Sequence, residues 1–228
     1  MTALVSGVAG GVFGAIAQAS GHQLPGGMGP DSATLETGAR DLLSVGMTEA
    51  IKVVALENGY FSNQFIKILL PDKWKPIVSI ISKLGLQKKL DKLVLSMNRA
   101  AERAAASALN IFHHFIRGIH FSDLKTILFG GETAATDFFK SRTERDLTEA
   151  YKPVVTTAMN EWQVTRHYSE LSHHVEHVPL VKDFAINIED YTVSRSLHGL
   201  FWMLAEKEKA VRNDPRLRVT KALQEIFH

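Results

Sequence analysis

From Ser32 onward, apolar residues recur at intervals of three and four, and the strict alternation expected of strands is scarce, so the pattern predicts an all-α fold. The best-defined stretch runs from Lys88 to Arg117. Within it Leu90, Val94, Met97, Ala101, Ala104, Ala108, Ile111 and Phe115 alternate steps of four and three, a seam that faces partner helices over several turns. The middle of the seam is alanine. Small side chains let another backbone come close, so this segment predicts a long, central, tightly packed helix with AAERAAASA at the crossing point and Gly118 as its stop.

Other elements fall on either side of that helix. A first helix is expected over Ser32 to Glu57, interrupted by Asn58 to Trp74, where Gly59, Asn63 and Pro71 are turn signals. A short helix follows from Lys75 to Leu84, ended by Gly85. After Gly118, Ser122 is placed to cap a short helix through Phe129, because its hydroxyl can accept from free first-turn amides. Gly130-Gly131 breaks the chain before a helix in ETAATDFFKSRT. Separate helices are expected over Leu147 to Trp162, bent at Pro153, and over Val164 to Val178, closed by Pro179. A loop from Leu180 to Asn187 leads to a long helix from Glu189 to Arg212, with Leu197, Leu200, Phe201, Leu204 and Val211 as its apolar stripe. Asp214-Pro215 is read as cap and first residue of a final helix ending at Phe227. With no internal repeat and no dividing linker, the pattern predicts a single compact multi-helix domain over residues 31–228, built around the alanine-rich helix.

Residues 1–30 differ in kind. An apolar run from Ala3 to Ala17 ends in small residues resembling an A-x-A cleavage site, and a Gly/Pro stretch follows, as in an export signal. No Lys or Arg precedes the run, so a flexible leader is the competing reading. Gly7, Gly10, Gly11 and Gly14 place small residues at helical spacing, which would allow residues 1–20 to pack in a membrane or against a partner protein, although a span needs about 20 predominantly apolar residues.

Charge narrows the classes. Lys+Arg number 26 against 24 Asp+Glu, a formal net charge of +2. The basic residues lie scattered among acidic ones, so nothing marks a nucleic-acid surface. The chain has no cysteine, which excludes disulfides, thiolate metal sites and a cysteine nucleophile. No G-x-S-x-G elbow or Walker loop is present, and Glu206 and Glu208 in AEKEK read as a charged helix surface interleaved with lysines.

The stretch HYSELSHHVEHVP, His167 to Pro179, holds the one metal-like spacing. His173-x-x-Glu176-His177 has the order of the inverted zinc peptidases: two imidazoles four apart on one helix face, a glutamate beside them as general base, and Glu170 as a further carboxylate. No third ligand announces itself in the short remainder of the chain. The stretch is polar around much of its circumference, as a solvated helix is. The preferred reading has no metal and no cofactor, with a zinc hydrolase built on His173, Glu176 and His177 kept as the alternative.

Polar residues inside apolar seams are the stronger signal. In LSMNRAAERA, Asn98 and Glu102 share a face and Arg99 can pair with Glu102. If that face is buried, these groups must satisfy one another or line a ligand pocket. In EDYTVSRSLHGLF, Tyr191, Arg195 and His198 follow at four and three along one side of a helix, and Gly199 permits close approach of a neighbour. Asn98, Arg99, Glu102, Tyr191, Arg195 and His198 are therefore the candidate binding residues.

The stretches NGYFSN with KILLP, LSMNRAAERA, GGETAATDFFKSRT and IEDYTVSRSLHGLFWMLAEKEKAVRNDP, in that order across Ala39 to Phe227, resemble the bacterial family catalogued as domain of unknown function 4197. The resemblance implies a mostly helical domain with no established activity, often carried behind an export signal in Gram-negative bacteria. A periplasmic or envelope location is thus expected, with the cytoplasm as alternative. The family pattern prefers Asp where His198 stands and an aromatic hydroxyl where Phe138 stands, so no role is carried over to those side chains. The leading functional expectation is a non-enzymatic domain that binds a protein partner or a small apolar or amphiphilic molecule. A subunit of a membrane-associated assembly, docked through residues 1–20, is the other alternative.

Overall fold

The computed structural model describes residues 30–120, 122, 124–175 and 186–227. Every reading of residues 1–29, of Glu176 and His177, and of the close of the sixth helix at Val178 and Pro179 lies outside these. The described residues form eight α-helices and no strand: α1 (Ser32–Val54), α2 (Lys75–Lys83), α3 (Gln87–Gly118), α4 (Leu124–Phe129), α5 (Ala134–Glu161), α6 (Val164–Val175), α7 (Ile188–Asn213) and α8 (Lys221–Ile226). All pack into one domain.

The alanine-rich helix is its axis: α3 packs against α1, α2, α5, α6 and α7. Leu90, Met97, Ala101, Ala104 and Ala108 are buried as the seam requires, whereas Val94, Ile111 and Phe115 are half-buried. The buried face is wider than a two-helix seam. Leu93, Ala100, Ala105, Phe112 and Ile116 are buried as well, because neighbours close on α3 from several directions. Phe112 meets Phe139 of α5 and Phe201 of α7 with ring centroids 6.0 and 5.8 Å apart, in tilted and edge-on arrangements that aromatic quadrupoles favour.

Three boundaries differ from expectation for local reasons. Helix α1 stops at Val54 rather than Glu57, because the chain reverses at Asn58, which adopts φ 68° in the left-handed region. Gly59 follows with its backbone pressed against α1: a Cβ there would lie 2.5 Å from the Val53 carbonyl oxygen. The separate helices expected in ETAATDFFKSRT and from Leu147 are one continuous α5 containing Pro153. Pro153 is exposed, and so is Glu149, the residue whose carbonyl its ring leaves without a helical partner. Finally, Asp214-Pro215 opens a 3-10 turn, Pro215–Leu217, and not the last helix. Thr220 caps α8, its hydroxyl accepting from the Leu223 amide at 3.3 Å.

Between α1 and α2 the chain crosses the body of the domain without helix of its own apart from a 3-10 turn at Asp72–Trp74. Segments of this length are uncommon in compact domains and are usually functional. This one is pinned by apolar anchors: Tyr60, Ile66, Ile68 and Trp74 are all buried.

Candidate functional site

What holds the Glu57–Leu70 crossing in place is the polar cluster read in α3. Asn98 is fully buried and acts as a backbone mimic. Its Oδ1 accepts from the Ile68 amide at 2.8 Å and its Nδ2 donates to the Ile68 carbonyl at 2.8 Å and to the Val94 carbonyl at 2.7 Å. One turn on, the Glu102 carboxylate accepts from the Tyr60 and Phe61 amides at 3.1 and 3.0 Å through Oε1, while Oε2 takes the Arg99 guanidinium at 2.6 Å. Arg99 then reaches outward to Glu57 at 3.1 Å and to the Asn58 side chain at 2.9 Å. A buried carboxylate is costly unless its lone pairs are met, and here each oxygen has a donor.

Helix α7 grips the same segment from the other side. The Tyr60 hydroxyl donates to the Ser196 carbonyl at 2.7 Å, and the Tyr60 ring lies so close that a Cβ on Gly199 would meet it at 2.4 Å. Burial holds the Tyr60 hydroxyl well above its ordinary pKa, with the nearby Tyr151 and Glu102 acting in the same direction, so it stays a neutral donor. Tyr191 donates to the Leu69 carbonyl at 2.5 Å. Four of the six candidate residues, Asn98, Arg99, Glu102 and Tyr191, therefore converge on one segment.

Arg195 and His198 do not bond to that segment. They continue the line of Tyr191 along α7, which reaches Trp202 at positions i, i+4, i+7 and i+11, a strip about 17 Å long at the helical rise. His198 is exposed, and its pKa is lowered by desolvation first and then by the positive charges of Arg195 and Lys140. Arg195 is half-buried and its Nε has no hydrogen-bond partner. The loop flanks both ends of this strip. Leu69 lies at the Tyr191 end, and at the other end Phe65 stacks on Trp202 with centroids 5.0 Å apart and an interplanar angle of 13°. Phe65 is 60% exposed and Leu69 55%. Beyond Trp202 a hollow of about 530 Å³ opens between the loop and α7, lined by Phe65, Trp202, Met203 and Ala210 and by the polar Asn63, Glu206 and Lys207.

A second polar network lies at AEKEK, where the charge pattern predicts a solvated surface. Glu206 does pair on the outside with Lys209, at 2.8 Å. Glu208, however, is fully buried. Its carboxylate accepts from the Ala135 and Thr136 amides at 3.0 and 2.7 Å, from the Thr136 hydroxyl at 2.6 Å, and from Arg212 at 2.6 Å. Arg212 in turn donates to the Ile127 and Leu128 carbonyls at the end of α4, at 2.7 and 2.5 Å. One ion pair thus satisfies the free amides that open α5 and the free carbonyls that close α4. The signal was present in the spacing, since Glu208 falls between Leu204 and Val211 on the apolar stripe of α7.

The zinc motif is only partly in view. His173 is exposed on α6, while Glu176 and His177 lie outside the described residues. Arg166 and Lys89 draw Glu170 into ion pairs at 2.9 and 3.6 Å and hold its carboxyl below the usual range. Among the described residues no three His, Asp or Glu side chains come together as a metal-ligand set, and no helix is long and apolar enough to cross a membrane.

Neither curated proteins nor solved structures provide a match to this chain. A family model does, that of "Protein of unknown function (DUF4197)", and it takes in residues 29–228, the clamp, the α7 strip and the Glu208 network included. The chain accordingly belongs to the DUF4197 family.

Proposed function

We propose that this protein is a non-catalytic binding module whose docking surface is the outer face of the clamped loop together with the adjoining strip of α7. The observation that carries this reading is the use made of the buried polar residues. Two fully committed side chains, Asn98 and Glu102, fix the backbone of a segment whose outward side chains, Phe65 and Leu69, are apolar and in water. Ordering a loop costs roughly 1–2 kcal/mol per residue in backbone entropy, and a loop already ordered does not incur that cost again on binding. Asn98, Arg99, Glu102 and Tyr191 contribute to binding by position, through the segment they hold. Phe65, Leu69, Arg195, His198 and Trp202 meet the ligand.

The occupant is a segment of a partner protein that carries apolar side chains and a carboxylate. Phe65, Trp202 and the hollow beyond them take the apolar groups. Arg195, which makes no ion pair among the described residues, and Lys207 in the lining of the hollow supply positive charge for the acidic group. An envelope location, drawn from the apolar run Ala3 to Ala17 and from the family resemblance, belongs to the same proposal.

A selection of displayed random peptides on the immobilised full chain tests this. Peptides combining aromatic or aliphatic residues with Asp or Glu should be enriched. Each should bind Phe65→Ser or Arg195→Gln at least about tenfold more weakly, the loss of one buried apolar or charge-assisted contact, while melting temperatures stay unchanged. Enriched peptides that bind both variants as well as the parent, or no enrichment at all, would overturn it.

A further inference from the structure

The far end of α3 carries a second hollow, of about 460 Å³, between the last turns of that helix and the wall of α5. From Glu102 to His120 the helix and its end advance about 27 Å at 1.5 Å per residue, so this site is remote from the docking surface above and does not depend on it. Its lining divides in two. Phe115, Gly118 and Ile119 form an apolar side, with Ile119 buried and Phe115 half-buried; His114, His120 and Arg142 form a polar one.

Arg142 is the informative residue. It is exposed, and its guanidinium makes no ion pair among the described residues. Instead it lies 5.5 Å over the Phe138 ring, a stacking that orients the group without neutralising it. His114 is likewise held edge-on against Phe115, with centroids 5.7 Å apart. A helix C-terminus ordinarily repels anions through its free carbonyls. Here Arg40 reaches across from α1 and donates to the carbonyls of Ile116, Arg117 and Ile119 at 2.5, 2.6 and 2.8 Å, which removes that objection. Arg40 is itself paired with Glu36 at 2.6 Å, so among the described residues that line the hollow the donors left for an incoming group are Arg142, the two imidazoles and the Ser122 hydroxyl.

We infer that this hollow binds an amphiphile with an oxyanion head, the head against Arg142, His114 and His120 and the apolar body along Phe115 and Ile119. A guanidinium fork flanked by ring N–H donors matches the geometry of a phosphate or carboxylate, and the volume lies within the roughly 300–1,000 Å³ of small-molecule sites. The apolar side gives a body its place, which a bare anion would leave wet.

Titration calorimetry of the full chain with octyl phosphate, inorganic phosphate and octanol separates the parts. Saturable one-to-one binding of octyl phosphate is expected, with the two fragments at least about tenfold weaker because each lacks half of the contacts. Arg142→Gln should weaken octyl phosphate by about tenfold or more and His120→Gln by less, neither changing the melting temperature, as both side chains are exposed. No saturation up to about 1 mM octyl phosphate, an affinity indifferent to Arg142, or equal binding of octanol or of inorganic phosphate would overturn the assignment.

Discussion

At the scale of single residues, the packing of α7 on α4 and α5 turns on one of two glutamates in a short motif. Glu206 and Glu208 stand two apart in AEKEK, yet one is a half-buried partner of Lys209 and the other is fully buried with Arg212. Glu208→Gln keeps the shape and removes the charge. It also turns an amide N–H toward donors on Thr136 or Arg212, and breaking a buried pair of this kind costs about 3–5 kcal/mol. Glu206→Gln loses a surface pair worth at most about 1 kcal/mol. Urea unfolding of the two variants should therefore show a large drop in midpoint for the first and almost none for the second. The AEKEK pattern alone reads as surface because charge alternates along the chain. Only the position of Glu208 on the Leu204–Val211 stripe betrays it, and that stripe carries conviction once its buried neighbours are known.

At the scale of elements, legibility followed how local the determining forces are. The length and centrality of α3 were readable because alanine spacing is a property of the helix itself. Proline removes a donor, so Pro153 predicts a bend. Both Pro153 and Glu149, four residues before it, are exposed, and α5 runs through without a break. The segment between α1 and α2 showed only turn signals, and its anchoring arises from contacts across many residues of sequence, Tyr60 with Ser196 and Ile68 with Asn98. Gly199 was read as permitting a close neighbour, and that neighbour is Tyr60. Gly199→Ala would drive a Cβ to 2.4 Å from a buried ring whose hydroxyl is tied down, so about 1–3 kcal/mol of stability should be lost. Gly118→Ala, with nothing within 4 Å of the new Cβ, should lose none. Thermal melts of the pair make the comparison directly.

At the scale of the whole molecule, the all-α architecture and the single domain were legible from periodicity, and the polar positions in α3 were correctly marked as answering to neighbours. What the sequence could not show is that the neighbours are backbone groups of one crossing segment, nor that Phe65, Leu69 and Trp202 sit on its outer side. Exposure is a result of packing, and large apolar residues in a sequence carry no sign of which face they will take. The helical body uses the buried Asn98 and Glu102 side chains to hold this segment still.

Hydrogen exchange at the Phe61 and Ile68 amides measures that holding most directly, because those N–H groups donate to the Glu102 and Asn98 side chains and to no backbone carbonyl. In the parent protein both should exchange almost as slowly as the amides of α5 and α7, opening only near global unfolding. In Asn98→Ala the Ile68 amide should speed up by orders of magnitude while α5 and α7 stay protected. Fast exchange at Phe61 and Ile68 in the parent, at rates matching an unstructured loop, would contradict the central claim.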